Sequence, residues 1–292
     1  MKNLINISDL SKKDFLEILD YSKSINPLKD ESLKNKYIGL IFEKHSTRTR
    51  LSFNVGIQQL KGHVVDINLN DLNLQRAESF EDTFEVMSCY LDALVFRTDT
   101  HKKLELASNF FKKPIINALS EISHPCQAIS DMFTLRNHFN RDDGFKIVWL
   151  GDLNNVLYSL IEAIEFLDSS TINVFTCRSI YDENFKNFPK SNKVSYYFDI
   201  DDKVLHEADC VMTDVYNSMN DKEDKEELLK KFMVDQNLMK KTSDTTVFMH
   251  CLPAKIGSEV SNEVIKGPKS IVLKQAKNRM VAQRGIMKWL DL

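Results

Sequence analysis

The chain has 292 residues, enough for one large domain or two of medium size, each with its own core. Its 39 lysines and arginines against 42 aspartates and glutamates leave a net charge of −3, which gives no electrostatic case for a nucleic acid or a membrane surface as partner. Five cysteines (Cys89, Cys126, Cys177, Cys210, Cys251) include no CxxC pair, and no two His or Cys stand at a ligand spacing. That pattern suggests free thiols in a reducing, cytoplasmic compartment, with no metal and no cofactor. The opening residues have one lysine and no sustained apolar stretch, unlike a signal peptide, and no segment approaches the length of a membrane span.

In chain order, Ser8 to Ser24 opens with Asp and Ser caps and has the apolar spacing of an amphipathic helix (Phe15, Ile18, Leu19). Tyr37 to Phe42 is an apolar run that reads as a short buried strand. It leads through Glu43-Lys44-His45 into Ser46-Thr47-Arg48-Thr49-Arg50, and a helix-period run carrying Phe53, Ile57 and Leu60 follows. Ser46 or Thr47 is a natural N-cap, so hydroxyls and two arginines gather at the positive end of a helix, where unpaired backbone N–H groups and guanidinium forks make an anion site. An ordinary strand-to-helix turn would carry the cap without the arginines.

Strand and helix patterns then alternate: strand at His63 to Leu69, helix at Ser79 to Tyr90, strand at Ala93 to Arg97, helix at His101 to Phe111 and strand at Pro114 to Ala118. A long helix is expected from Pro125 to His138, since proline suits the first helical position. After the polar break at Asn140 to Gly144 a second series begins with Lys146 to Leu150 and Gly151-Asp152. It continues with a helix at Val156 to Phe166 and strands at Thr171 to Phe175, Asp209 to Thr213 and Thr246 to Met249. The charged run Asp221 to Lys231 falls on a loop and a helix, and a final helix spans Gln275 to Leu290.

Such alternation predicts an α/β protein of two doubly wound parallel-sheet domains, residues 1–135 and 136–274, joined by the long helix near 125–138. The last helix, about 275–292, is expected to pack back on the first domain. Ligands in open α/β sheets bind beyond the carboxyl ends of strands. Polar clusters fall there in both series, so the expected active site is a cleft between the domains.

Taken together, these clusters resemble the aspartate/ornithine carbamoyltransferase family, and its ornithine branch in particular. Ser46-Thr47-Arg48-Thr49-Arg50 is similar to the family's carbamoyl-phosphate motif, and His124-Pro125-Cys126-Gln127 to its second motif. His250-Cys251-Leu252-Pro253-Ala254 is similar to the signature of the ornithine branch, which has cysteine where the aspartate branch has proline. Asp214 with Ser218-Met219 resembles the ornithine loop, Asp152 to Val156 the turn that opens the second domain, and Asn278-Arg279 the motif near the family's C-terminus. The set runs in order over nearly the whole chain.

The resemblance implies transfer of the carbamoyl group of carbamoyl phosphate to the δ-amine of L-ornithine, giving citrulline and phosphate, as part of arginine biosynthesis in a cytoplasmic homotrimer. It assigns carbamoyl-phosphate binding to Ser46, Thr47, Arg48, Thr49, Arg97, His124, Gln127, Cys251, Leu252 and Arg279. It assigns ornithine binding to Asn155, Asp214, Ser218, Met219, Cys251 and Leu252. Catalysis falls to Arg48, Arg97, His124, Gln127, Cys251 and Arg279. These side chains suit the chemistry: a small, labile dianion needs dense cationic and N–H donors and a dry site. The nucleophile is the substrate's own amine, with a lysine-like pKa of about 10.4, so no covalent protein nucleophile is required.

The chain departs from the family pattern at His45 (for proline), at Asn220 (for glycine), at Lys255-Ile256-Gly257, and at Gln275 and Lys277 (for acidic residues). It also departs at Leu74 to Glu78, in a loop that reaches a neighbouring subunit's site in the family. Three other functions compete. One is carbamoyl transfer to a different amine such as putrescine, which lacks the α-amino-acid end that Asp214 and Ser218 would clamp. Another is an NAD-dependent oxidoreductase, for which the single-glycine turn in Val148 to Asn155 is a poor match. The third is a non-catalytic phosphate-binding protein, for which His124, Gln127 and Cys251 would have no use.

Overall fold

The computed structural model describes residues 2–69, 72, 78–217 and 224–292. They divide into two units, Met1–Phe133 with Lys277–Leu292, and Thr134–Ala276.

In the first unit Ser11 sets the first long helix. Its hydroxyl accepts from Asp14 N–H while the Asp14 carboxylate accepts from Ser11 N, a reciprocal cap that starts α1 at Lys12 (Lys12–Ser24). Residues Ile7–Asp9 form a separate 3-10 turn, so the expected helix from Ser8 is two pieces. The chain then alternates as β1 (Tyr37–Phe42), α2 (Thr47–Gln59), β2 (His63–Ile67), α3 (Phe80–Tyr90), β3 (Ala93–Arg97), α4 (His101–Phe110), β4 (Ile115–Leu119) and α5 (Pro125–Phe139). Its four strands are all parallel, in the order β2-β1-β3-β4. Ile38, Leu40 and Ile41 of β1 and Ala93 to Phe96 of β3 are fully buried, which explains why these strands read as unbroken apolar runs. One core layer gathers Ile41, Phe84, Leu94, Phe96, Leu104 and Phe111.

α5 carries the chain into the second unit. There β5 (Lys146–Leu150), α6 (Asn155–Ile164), β6 (Thr171–Phe175), α7 (Arg178–Asn184), β7 (Val194–Tyr197), α8 (Asp202–His206) and β8 (Cys210–Thr213) follow. Short helices α9 (Glu226–Leu229) and α10 (Gln236–Met239), then β9 (Val247–His250) and α11 (Asn262–Ile265), complete the unit up to α12 (Val272–Leu290). The strand order is β7-β6-β5-β8-β9, again all parallel. Gly151, just after β5, has φ +118°, and a Cβ there would sit 2.8 Å from the Tyr216 ring, so the turn requires glycine. β7, α7 and α8 were not expected from the sequence.

Residues 277–292 of α12 belong to the first unit. Gly285 lets the helix approach α1 closely, since a Cβ would meet the Ile18 carbonyl oxygen at 2.6 Å. Arg284 Nη1 donates to Gln59 Oε1 at 2.8 Å, and Trp289 Nε1 donates to Asp14 Oδ1 at 2.9 Å. Among the described residues no helix is long and apolar enough to cross a membrane.

Candidate active site

The turn from β1 to α2 is built around an N-cap that does not cap. Ser46 holds the N-cap position, yet its side chain makes no bond to the helix; its hydroxyl accepts from Arg97 Nη1 at 3.1 Å. Ser11 and Ser79 cap α1 and α3 in the ordinary way, each accepting from a backbone N–H three residues on. The start of α2 thus keeps its N–H donors from the side chain best placed to take them. Arg48, in the first turn, has a buried Nε with no hydrogen-bond partner among the described residues. Arg50 faces elsewhere: it pairs with Asp66 and lies over the Phe42 ring. Only the first of the two arginines read from the sequence is therefore available for an anion.

Arg97 ends β3 at a register irregularity between Phe96 and Arg97, and Glu43 fixes the turn beyond it. Glu43 Oε2 accepts from Thr98 Oγ1 at 2.5 Å and from Asp99 N at 3.1 Å, and Lys103 Nζ lies 3.0 Å from its Oε1. Arg279, from α12, is 4 % exposed and donates to the hydroxyl of Thr49, itself buried on α2.

His124 follows a turn held by a second histidine. Asn6 Nδ2 can only donate, so His101 Nε2 accepts from it (3.2 Å) and His101 Nδ1–H donates to Ser120 Oγ (2.8 Å). Ser120 N in turn donates to the Ser123 carbonyl at 3.0 Å, setting the chain up for α5. The His124 carbonyl accepts from Gln127 N, so the imidazole stands at the helix start with Gln127 one turn on. Burial pushes the His124 pKa well below 6.5, and the guanidiniums of Arg279 and Arg97 push it further, so the ring is neutral and offers one N–H and one lone pair. Gln127 Nε2 donates to Asp131 Oδ1 at 2.8 Å, whereas Gln127 Oε1 is buried without a partner among the described residues. The neighbouring Cys126 is inert: burial raises its thiol to about 12.

In the second unit the strand-end cluster centres on Asp214, 7 % exposed just after β8. Its Oδ1 accepts from the Cys251 thiol at 2.9 Å and its Oδ2 from Asn154 Nδ2 at 3.0 Å. Asn154 also caps α6, its Oδ1 accepting from Val156 N and Leu157 N. Asn155, the residue expected to bind ornithine, opens α6, and it is Asn154 that reaches Asp214. Asp152 is buried against Lys225 Nζ at 3.0 Å.

Beyond Cys251 the backbone turns with Leu252 at φ +58°. Leu252 N–H donates to His250 Nδ1 at 2.9 Å, so the ring proton lies on Nε2 and faces Glu259 Oε1 at 3.2 Å. Glu259 and His250 are both buried, and Gln275, one of the departures from the family pattern, accepts from His250 N at 2.9 Å. Asp214, His250 and Cys251 present ligand-type atoms within 4.8 Å of one another, a grouping that the spacing along the chain did not suggest. Both ring nitrogens of His250 are already engaged as described.

Ser218 and Met219 lie outside the described residues, as do Asn220 and most of the 72–78 loop. The structure groups Ser46, Arg97, Thr49, Arg279, His124 and Gln127 in the first unit, and Asp214, Cys251 and Leu252 in the second. Sequence reasoning missed Asp131, Asn154 and Glu259. Asp131 had a faint signal, since it lies four residues after Gln127 on the same helix face.

Residues 2–137 match the carbamoyl-P binding domain of aspartate/ornithine carbamoyltransferase, and residues 143–290 match its Asp/Orn binding domain. The ornithine carbamoyltransferase of Methanocaldococcus jannaschii is 35% identical, covering 99% of this chain and 98% of the relative. The solved ornithine carbamoyltransferase of Pyrococcus furiosus superposes with a TM-score of 0.89 at 34% identity, over 98% of this chain and 95% of that one. The enzyme of Burkholderia thailandensis does so with 0.90 at 32% identity, over 100% and 99%. The chain belongs to the aspartate/ornithine carbamoyltransferase family.

Proposed function

We propose that this member of the aspartate/ornithine carbamoyltransferase family transfers the carbamoyl group of carbamoyl phosphate to the δ-amine of L-ornithine, releasing citrulline and phosphate. The observation that carries this reading is the pairing, within one unit, of a helix start whose N-cap side chain does not cap it, beside Arg48 and Arg97, with a buried acceptor at Gln127 Oε1 that has no partner among the described residues. A phosphate calls for the first and a carbamoyl NH₂ for the second. The relatives' names and the two matched domains support the same substrates.

In this reading Ser46, Thr47, Arg48, Thr49 and Arg97 donate to the phosphate. The neutral His124, with Arg48 and Arg279, donates to the carbamoyl oxygen as charge builds on it. Gln127 Oε1 accepts from the carbamoyl NH₂ and so fixes the face open to attack. Asp214, pre-oriented by Asn154 and Cys251, accepts from the amino groups of ornithine, while Asn155, Ser218 and Met219 hold its amino-acid end. The Leu252 carbonyl accepts from the attacking amine or from the carbamoyl nitrogen.

The neutral amine attacks the carbonyl carbon, a C–N bond forms, the C–O bond to phosphate breaks, and the proton of the attacking nitrogen passes to the departing phosphate. The arginines offset the negative charge carried away on phosphate. Formation of citrulline from both substrates, rising with pH as the amine deprotonates, is the expected result. Purified folded protein that makes none overturns the reading, and a faster rate with putrescine transfers it to another amine. A homotrimer, a cytoplasmic location and a role in arginine biosynthesis belong to the same proposal, on the family resemblance; sedimentation tests the first of them.

A further inference from the structure

A glutamine side chain can turn either an accepting oxygen or a donating NH₂ toward a ligand, and the two orientations select opposite chemistry. At Gln127 one face is already committed. The side chain is fully buried, and its Nε2 donates at 2.8 Å to Asp131, also fully buried one turn further along α5. That hydrogen bond commits the NH₂ face to Asp131 Oδ1 and leaves Oε1 turned the other way. Oε1 is then a buried acceptor with nothing among the described residues to accept from, an arrangement that is costly until a ligand donor satisfies it.

We propose that Asp131 is a specificity-determining positioning residue: by locking the Gln127 amide, it makes the site select a carbamoyl group over acyl and carboxy groups of the same shape. The inference rests on the reading of Gln127 as the contact for the carbamoyl NH₂. A carbamoyl NH₂ supplies the missing proton. The methyl of an acyl phosphate leaves Oε1 unsatisfied, and a carboxylate oxygen sets acceptor against acceptor. Rejection of this kind, by an unpaired buried polar group, is far stronger than the discrimination a pocket achieves by size alone.

Two stable phosphonates test it by calorimetric titration. In phosphonoacetamide and phosphonoacetate a methylene replaces the labile bridging oxygen, and the two differ only in NH₂ against O⁻. The native protein is expected to bind the amide about 100-fold more tightly. In Asp131→Asn the new amide can pair with either face of Gln127, so Gln127 is free to turn its NH₂ to the carboxylate. The preference is then expected to fall about tenfold or more. Removing a negative charge also helps an anionic ligand, so the same change is made in a Gln127→Ala background. There only the charge effect survives, and the drop is expected to be within about threefold.

An equal drop in both backgrounds, or no drop in the first, overturns the role of Asp131. Binding of neither phosphonate overturns instead the carbamoyl-phosphate reading beneath it. Should Asp131→Asn not fold, Asp131→Ser, which both donates and accepts, is expected to lower the preference in the same way.

Discussion

Two turns of the same kind, β1 to α2 and β5 to α6, have been put to opposite use. Each takes a buried parallel strand into a helix through a polar N-cap residue. Asn154 does what a cap ordinarily does, accepting from two N–H groups of α6 and leaving its own NH₂ to steady Asp214. The Ser46 hydroxyl accepts from Arg97 and makes no cap bond to α2. One turn consumes its helix donors and presents a carboxylate, which suits a cationic amine. The other withholds its donors and adds guanidiniums, which suits a dianion. The difference lies in what the cap residue is bonded to, and both serine and asparagine are ordinary cap residues.

The contrast is broken most severely at Arg48. Arg48→Ala is expected to lower kcat about 10²–10³-fold along with affinity, as the role proposed for its guanidinium in offsetting charge during transfer requires. A change in KM for carbamoyl phosphate alone, measured by steady-state citrulline formation, refutes that role. Asp214→Asn is expected to lower kcat/KM for ornithine about 100-fold while calorimetry shows unchanged binding of phosphonoacetamide. If both ligands weaken together, the two turns do not divide the labour as described.

The caps themselves give a subtler pair. Asn154→Ala is expected to cost about 1 kcal/mol of stability in denaturant unfolding, whereas Ser46→Ala leaves stability nearly unchanged and raises KM for carbamoyl phosphate. A third strand-to-helix turn, β4 to α5, shows itself in the pH dependence of stability. His124 is held neutral with a pKa well below 6.5, so between that value and 6.5 the unfolded chain binds a proton that the folded one does not. Its contribution is therefore complete above pH 6.5 and is lost as pH falls from there. Thermal unfolding of His124→Asn should show a shallower loss between pH 7 and 5. The smallest effect belongs to Arg50→Ala: this half-exposed pair with Asp66 is worth about 0.5 kcal/mol, and kcat should stay within about threefold.

Much of this molecule was legible because parallel strands buried on both faces leave plain apolar runs. Ala93–Arg97 and Thr171–Phe175 came out with the boundaries read from sequence. The missed β7, Val194–Tyr197, is only half-buried along its length, so it writes no such run. α7 and α8 span seven and five residues, too short for a helical period to register. Within the site the residues expected to touch ligand were visible because their types and order formed a pattern. The supporting residues were not. Asp131, Asn154 and Glu259 act through another side chain, and only the fold shows which amide, carboxylate or imidazole each one meets. Arg48 and Arg50 make the same point: two identical side chains two residues apart are told apart only by Asp66, sixteen residues beyond Arg50.

Arg279 comes from α12, and that has a bearing on the order of synthesis. Ser46 to Arg50, Arg97 and His124 emerge from the ribosome early, yet the partner of Thr49 arrives only after the whole of residues 134–276 has been made. At about 5–20 residues per second that delay is of the order of ten seconds. During this interval the first unit lacks the guanidinium that donates to Thr49. The anion-binding unit is thus begun first and finished last.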